Sequence, residues 1–371
     1  MKKKLIRATT VSMSTVFYVD IIPDLQEQGY EVVAVSSPGQ ELDDVRKKGA
    51  KVITVPMERH ISPFKDLISL FRLIRVFIKE RPYIVHSITP KAGLLCMMAG
   101  WLTRVPRRVH MFTGLVWPTA TGLSRKILMF TDWLTCSCAT HVIPESQGVM
   151  NDLQAHITKK PMHVLGFGNI KGIDMEYWCN TPELNQPDPA FFTFLFVGRI
   201  TKDKGINELV SAFCRLNSVH PETRLWLVGP FEDDLDPVSD ETRKLIETTP
   251  AIVTWGERNR DELRLFYASS DCFVFPSYRE GMPNTPIEAG AMGLPTIATD
   301  INGSREIIIN GENGIVIPSK DADALYAAME HMLLNTNGDR TRMASNAREL
   351  IGSRFEQSFV RKCLYEYYNS L

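Results

Sequence analysis

Short runs of β-branched and aromatic residues alternate with longer amphipathic runs along almost the entire chain, and no other pattern limits the fold as severely. The alternation starts with Leu5–Val11, helical Ser14–Gln28, Glu31–Ser36, helical Glu41–Lys48 and Lys51–Val55. It continues through helical Pro63–Glu80, Tyr83–Ile88, helical Lys91–Thr103, Arg108–Phe112, helical Leu123–Cys138, His141–Pro144 and His163–Leu165. Apolar runs of four to eight residues between helical periods read as buried strands joined by crossover helices, which is the signature of a doubly wound parallel sheet. The same rhythm returns with strands at Phe192–Val197, Leu225–Val228, Ile252–Thr254, Cys272–Phe275 and Thr296–Ala298. The expected class is therefore α/β, with two Rossmann-like domains facing each other across a cleft. The first spans 1–165, a Gly- and Pro-rich connection spans 166–190, and the second spans 191–354, with the aromatic segment 355–371 packing back on the first domain. A chain of 371 residues accommodates two such domains.

Several classes are excluded. The longest nearly apolar runs, such as Ala92–Thr103, fall short of the roughly 20 residues needed to span a bilayer. Arg7 interrupts the apolar core that a secretory leader would keep. Seven cysteines, with no CxxC or paired Cys/His spacing, support neither a disulfide framework nor a zinc site. The net charge of −1 conceals +9 over residues 1–165 and −10 over residues 166–371. A basic first half is expected to face something anionic, or else to serve solubility without a partner. Dispersed basic residues without a nucleic-acid motif argue against DNA or RNA. Segment Pro63–Pro82 carries Leu67, Phe71, Ile74 and Ile78 on one helical stripe, with Arg104, Arg107 and Arg108 after the next apolar stretch. These suit either ordinary packing on the sheet or contact with anionic lipid.

Two constellations carry chemistry. Strand Phe192–Val197 runs into Gly198 and Arg199, followed by Lys204 and Gly205, so two cations and a permissive backbone lie at a strand's carboxyl end, where a diphosphate would sit. Strand Cys272–Phe275 runs into Pro276-Ser277-Tyr278-Arg279-Glu280-Gly281-Met282-Pro283-Asn284-Thr285-Pro286-Ile287-Glu288. Thr285, Pro286 and Glu288 have the spacing of N-cap, N1 and N3, so a helix start would aim backbone N–H groups and a dipole at an anion. Thr285 with Glu288 is equally a capping box. Glu280 beside Gly281 is placed to accept sugar hydroxyls. Asp234-x-Asp236 matches a metal-binding DxD on paper, but lies in an acidic, Pro-containing loop.

The order Gly198-Arg199-x4-Lys204-Gly205, Glu280-x7-Glu288, Gly293-x-Pro295 and Asn302-Gly303 with Glu306 resembles the donor half of family 4 retaining glycosyltransferases. Val85-His86-Ser-Ile-Thr-Pro90-Lys91-Ala-Gly93 and Phe112-Thr113-Gly114-Leu115 resemble the bacterial members that extend polyprenyl-diphosphate-linked capsule, O-antigen or glycoprotein glycans. The resemblance implies a GT-B fold, a nucleotide-sugar donor that is usually UDP-linked, and transfer with retention. It implies that no metal or other cofactor is required. It also implies a cytoplasmic enzyme held peripherally on the inner face of the membrane. Arg199 and Lys204 would hold the diphosphate and stabilise the leaving group, with Glu280 as the third catalytic residue. Glu280 and the backbone of Gly281, Met282, Pro283, Asn284 and Thr285 would orient the donor sugar. Glu288 would hold the ribose, Gly198 would admit the diphosphate and Arg258 would contact the base. On the acceptor side the resemblance points to Ser12, Thr113, Gly114 and His86, with Ser12 where many relatives carry a glycine turn and Thr113 where many carry a histidine. A UDP-sugar epimerase of the same fold and a non-catalytic nucleotide-sugar-binding scaffold are the competing expectations.

Overall fold

The computed structural model describes residues 3–58, 60, 62–184, 187–234, 236–335 and 338–371. Parts of the expected 166–190 connection (185 and 186) and of the acidic loop (235) lie outside them. Two units partition the chain: Met1–Lys171 with Ser358–Leu371, and Gly172–Gln357.

In the first unit the order is β1 (Lys3–Ala8), α1 (Ile22–Glu27), β2 (Tyr30–Ser36), α2 (Leu42–Lys47), β3 (Lys51–Thr54), α3 (Pro63–Glu80) and β4 (Ile84–Ser87). It continues with α4 (Pro90–Leu102), β5 (Arg107–Phe112), α5 (Gly122–Cys138), β6 (His141–Pro144) and α6 (Gln147–His156). The six strands form one parallel sheet in the order β3-β2-β1-β4-β5-β6. Both faces are covered, so its inner strands read as near-continuous apolar runs. Ile6, Val33, Val85, Leu73, Phe77 and Cys96 pack on one face, and Leu5, Val32, Ala34, Ile84 and Val109 on the other.

The second unit runs β7 (Phe192–Val197), α7 (Ile206–Val219), β8 (Thr223–Val228), α8 (Asp240–Thr248), β9 (Ile252–Gly256), α9 (Arg260–Ala268) and β10 (Cys272–Phe275). It continues with α10 (Asn284–Ala291), β11 (Thr296–Thr299), α11 (Ser304–Ile307), β12 (Gly314–Ile317), α12 (Ala322–Leu334) and α13 (Asp339–Phe355). Its sheet has the order β12-β11-β10-β7-β8-β9, again all parallel. The last helix, α14 (Gln357–Ser370), buries Leu364, Tyr367 and Tyr368 with Leu5, Tyr30 and Val32 of the first unit, whereas Phe355 of the expected 355–371 segment lies in the core of the second.

Four expectations need correction. His163–Leu165 forms no strand, because no neighbouring edge pairs with it. The expected helix Ser14–Gln28 is split into two short 3₁₀ turns and α1, with Pro23 at the start of the latter. The segment from Gly172 is not a bare connection: Ile173 and Trp178 enter the second unit's core, and Ile173 bridges Glu356 beside it. Finally, α3 turns Leu70, Leu73 and Phe77 to the core, and leaves Leu67, Phe71 and Ile78 exposed together with Phe64, which is 87% accessible. Only Ile74 of the expected stripe packs against the sheet.

Candidate active site

In the second unit, β7 and β10 are adjacent parallel strands, so the segments that leave their carboxyl ends meet. That edge of an open α/β sheet is where ligands bind. The turn after β7 folds into a 3₁₀ element over Lys202–Lys204, and Gly205 then reverses with φ +73° to start α7. A Cβ on Gly205 would stand 2.1 Å from the Pro276 carbonyl oxygen, so only glycine lets this turn lie against the segment after β10. The contact is sewn by hydrogen bonds. The Tyr278 N–H donates to the Asp203 carbonyl (2.8 Å), the Ser277 hydroxyl reaches the same oxygen (3.3 Å), and the Tyr278 hydroxyl donates to Glu208 (2.7 Å). On the other side, a Cβ on Gly303 would stand 2.3 Å from the Gly281 carbonyl, which fixes the second wall of the segment.

The expected cations come together there with carboxylates. Lys204 is ion-paired with Glu280, whose Oε1 also accepts from the Ser277 hydroxyl at 2.8 Å; the two side chains are only 15% and 16% exposed. Arg199 pairs with Glu232 and lies 4.0 Å from Asp203, which in turn receives Arg279 at 3.0 Å. Burial raises the Asp203 carboxyl, but the Thr201 hydroxyl and the charges of Lys204, Arg279 and Arg199 outweigh it, and the net shift is downward. The site thus holds two cations whose present partners are carboxylates, donors that an anionic group could engage in their place.

Helix α10 begins one residue before the expected cap. Pro283 occupies the N-cap position and makes no side-chain cap, so Asn284 is the first helical residue and Thr285 the second. The Thr285–Glu288 capping box is therefore absent. Glu288 lies one full turn into the helix and accepts from the buried Tyr267 hydroxyl at 3.1 Å. With Gly281, Met282 and Pro283 buried, the start of α10 is held firmly at the end of β10. Arg258 follows β9, which the structure extends to Gly256, and pairs with Glu262 at 3.1 Å, leaving its Nε without a hydrogen bond. Asp236 of the DxD match accepts the Asp203 N–H at 2.6 Å, which explains it as a loop brace.

The acceptor-side residues divide. Gly114 lines a cavity of the first unit and Thr113 precedes it, half-buried. Ser12 is buried against Gly39, with its carbonyl taken by the Thr15 hydroxyl. His86 must be withdrawn: its ring is fully buried, its Nδ1 accepts from Arg7 at 3.1 Å and lies 2.5 Å from the Tyr368 hydroxyl, and burial depresses its pKa well below the ordinary value. It is a core residue of β4 and cannot meet a ligand.

Comparison with known proteins now decides the family. The model for a glycosyl transferase 4-like domain matches residues 16–168, and that for glycosyl transferases group 1 matches residues 183–350. The capsular polysaccharide biosynthesis glycosyltransferase CapM of Staphylococcus aureus is 32% identical over 99% of this chain and 97% of its own. The chain belongs to this glycosyltransferase family. A galactosyltransferase of Escherichia coli that uses UDP-Gal and α-D-GlcNAc-diphosphoundecaprenol is 27% identical over 82% of this chain and 80% of its own. Among solved structures, Anabaena HepE in complex with UDP superposes with a TM-score of 0.80 at 17% identity, covering 100% of both chains. Sucrose-phosphate synthase of Thermosynechococcus elongatus gives 0.78 at 18% identity, covering 99% and 98%. The fold of this glycosyltransferase is thus GT-B. The candidate site is held by residues to which sequence reasoning gave no role: Ser277, Tyr278, Asp203 and Tyr267 hydrogen-bond to Glu280, to the cation turn and to Glu288. Tyr267 carried no local signal, because it sits on α9 and meets α10 only in the fold.

Proposed function

We propose that the protein transfers a sugar from a nucleoside-diphosphate sugar, UDP-linked, to a lipid-diphosphate-linked saccharide during assembly of a surface polysaccharide, with retention at the anomeric carbon and without a metal. The observation that carries the reading is the meeting of Lys204, Arg199 and Glu280 with the start of α10 at the carboxyl ends of β7 and β10. Breaking the anomeric C–O bond builds charge on the departing diphosphate. Lys204, Arg199 and the helix-start N–H groups would stabilise that charge more strongly in the transition state than in the ground state. Glu280, anchored through Oε1 by Lys204 and Ser277, would use Oε2 for a hydroxyl of the donor sugar. Glu288, with its other partner Tyr267, would take the ribose hydroxyls, and Arg258 the base.

The relatives support UDP and a lipid-linked acceptor: HepE forms a complex with UDP, and the Escherichia coli relative acts on a diphosphoundecaprenol saccharide. An anionic membrane is the proposed partner of the first unit, with the protein on the cytoplasmic side. No helix among the described residues is long and apolar enough to cross a membrane. The exposed apolar residues of α3 are joined by Trp101 and Leu102 of α4 and by Leu123, Phe130 and Trp133 of α5, among exposed Arg72, Arg75, Lys79, Arg104, Arg125 and Lys126. Such a mixture of apolar and basic groups suits an anionic bilayer surface. Arg107 and Arg108, which the sequence offered for the same role, instead donate to the carbonyls of Leu371 and of Cys138 and Val105.

The experiment that tests the reading follows UDP release from UDP-sugars in the presence of lipid-linked saccharides for the wild type and Glu280→Gln. Transfer should fall by about two to three orders of magnitude in the variant, while UDP affinity stays nearly intact. Unchanged transfer by Glu280→Gln would refute the role of that carboxylate.

A further inference from the structure

The segments that leave β7, β8 and β10 at their carboxyl ends meet on one residue, Asp203, and each engages a different part of it. Its N–H donates to the Asp236 carboxylate at 2.6 Å, and the neighbouring Lys202 N–H donates to the Asp236 carbonyl at 3.1 Å, so the segment after β8 is tied to the cation turn. Its carbonyl accepts from the segment after β10, through the Tyr278 N–H (2.8 Å) and the Ser277 hydroxyl (3.3 Å). Its carboxylate serves side chains. Oδ1 accepts from the Thr201 hydroxyl at 2.7 Å, and because Thr201 is fully buried this bond restrains the carboxylate's rotation. Oδ2 then receives Arg279 at 3.0 Å.

The neighbours in sequence make this contact bear on the candidate site. Asp203 precedes Lys204 and Arg279 precedes Glu280, so two ion pairs of opposite sense, Asp203–Arg279 and Lys204–Glu280, join the same two segments side by side. A ligand treats them differently. In the reaction proposed above, Lys204 divides its donors between Glu280 and the diphosphate while Glu280 gives an oxygen to the donor sugar, so their mutual pair is drawn on from both sides. The pair one residue earlier is not called on by that scheme. With Arg279 33% and Asp203 20% accessible, it adds little to the stability of the fold. The backbone bonds of Asp203, and the Tyr278 hydroxyl shared by both Glu208 oxygens at 2.7 Å, hold the segments together. The ion pair's value lies in alignment, because a misplacement of about 1 Å at a reacting centre costs about 10²-fold in rate.

We infer that Asp203 is a positioning residue for sugar transfer: through Arg279 it keeps Glu280 and Lys204 in register while the substrate draws on both. The inference rests on the transferase reading and deepens it by naming what aligns the two segments in the loaded site. Loss of the charge has a signature that a structural role lacks. Asp203→Asn keeps the backbone bonds and an oxygen for Thr201, but loosens Arg279. It also removes a negative charge beside Lys204 and Arg199, so UDP should bind no more weakly while transfer slows. A structural defect lowers both together.

The test compares the wild type with Asp203→Asn, Arg279→Gln and the double variant. Steady-state transfer from UDP-sugars to lipid-linked saccharides, calorimetric UDP affinity and hydrogen–deuterium exchange over residues 276–283 are measured on the full chain, and a thermal melt reports folding. Each single variant should lose about ten- to a hundredfold in kcat. UDP affinity should stay within about twofold of the wild type or rise, and exchange over 276–283 should be faster. The double variant should lose no more than the worse single variant, because both remove the same contact. Transfer undiminished in both folded single variants, losses that multiply in the double variant, or UDP affinity that falls in step with transfer would overturn the inference and leave the transferase reading standing. A wild type that transfers no sugar, with exchange faster in the variants, would uphold the alignment and bring down the transferase reading instead; with exchange unchanged as well, both fall.

Discussion

A carboxyl buried in apolar surroundings should cost the folded protein stability, and Asp132 allows that cost to be measured. Its pKa is raised from 3.8 to about 7 in the folded chain, chiefly by burial. The folded state therefore binds more protons than the unfolded state between those two values. Stability contributed at this position is greatest at low pH and falls as pH rises through the window from about 4 to about 7. A shift of about three pH units corresponds to about 4 kcal/mol above pH 7. The side chain is not fully sealed from solvent, and an amide in its place pays some desolvation too. The net gain from Asp132→Asn at pH 8 should then be about 2 kcal/mol, or about 4 to 8 °C in melting temperature for a unit of this size. The buried His86 and His110, whose pKa values are lowered by burial, the latter to about 3, act in the opposite direction and destabilise the fold as pH drops below 6.5. Comparing variant with wild type at each pH cancels them. Scanning calorimetry should show the variant more stable at pH 8 and the difference shrinking at pH 5. A variant that melts below the wild type at pH 8, or a difference independent of pH, would refute the assignment of Asp132 as a carboxyl destabilised by burial.

Other perturbations have clear expected outcomes. Gly205→Ala forces a side chain toward the Pro276 carbonyl at a φ of +73°, so unfolding should cost about 1–3 kcal/mol less, and UDP affinity should drop with it; urea titration and calorimetry check both. Tyr267→Phe removes the hydroxyl that holds Glu288, and should lose about 1 kcal/mol of stability together with a several-fold loss of UDP affinity, whereas a purely structural role would show the stability change alone. Replacing exposed Phe64 and Phe71 by Asp should abolish flotation with vesicles rich in phosphatidylglycerol and leave UDP binding as in the wild type; flotation that persists would place the membrane contact elsewhere.

The sequence made the sheets legible because parallel strands buried on both faces leave apolar runs such as Phe192–Val197, and crossover helices leave a 3.6-residue period. The candidate site was legible for a similar reason: Gly205, Lys204 and Glu280 sit at strand ends whose positions the runs define. What failed were features decided by neighbours rather than by local pattern. The start of α10 moved to Asn284 because Pro283 already has the extended conformation of an N-cap, so Thr285 was not needed there. His86 reads as a candidate until β1 places Arg7, and α14 places Tyr368, against it. The outward stripe of α3 has the same period as a core-facing one, so only packing shows which face is buried. Asp132 left a faint trace as the one acidic residue in α5, but its approach to Trp117 spans a loop that no periodicity describes.

The central claim is that Lys204 and its neighbours form a nucleoside-diphosphate site in the second unit. Calorimetric titration of UDP, GDP and ADP into the wild type and Lys204→Ala, with no metal added, tests it without knowledge of the acceptor. Selective binding of UDP, weakened about tenfold or more in the variant, is the expected result. Folded wild-type protein that binds none of the three nucleotides, or UDP affinity indifferent to Lys204→Ala, would contradict it.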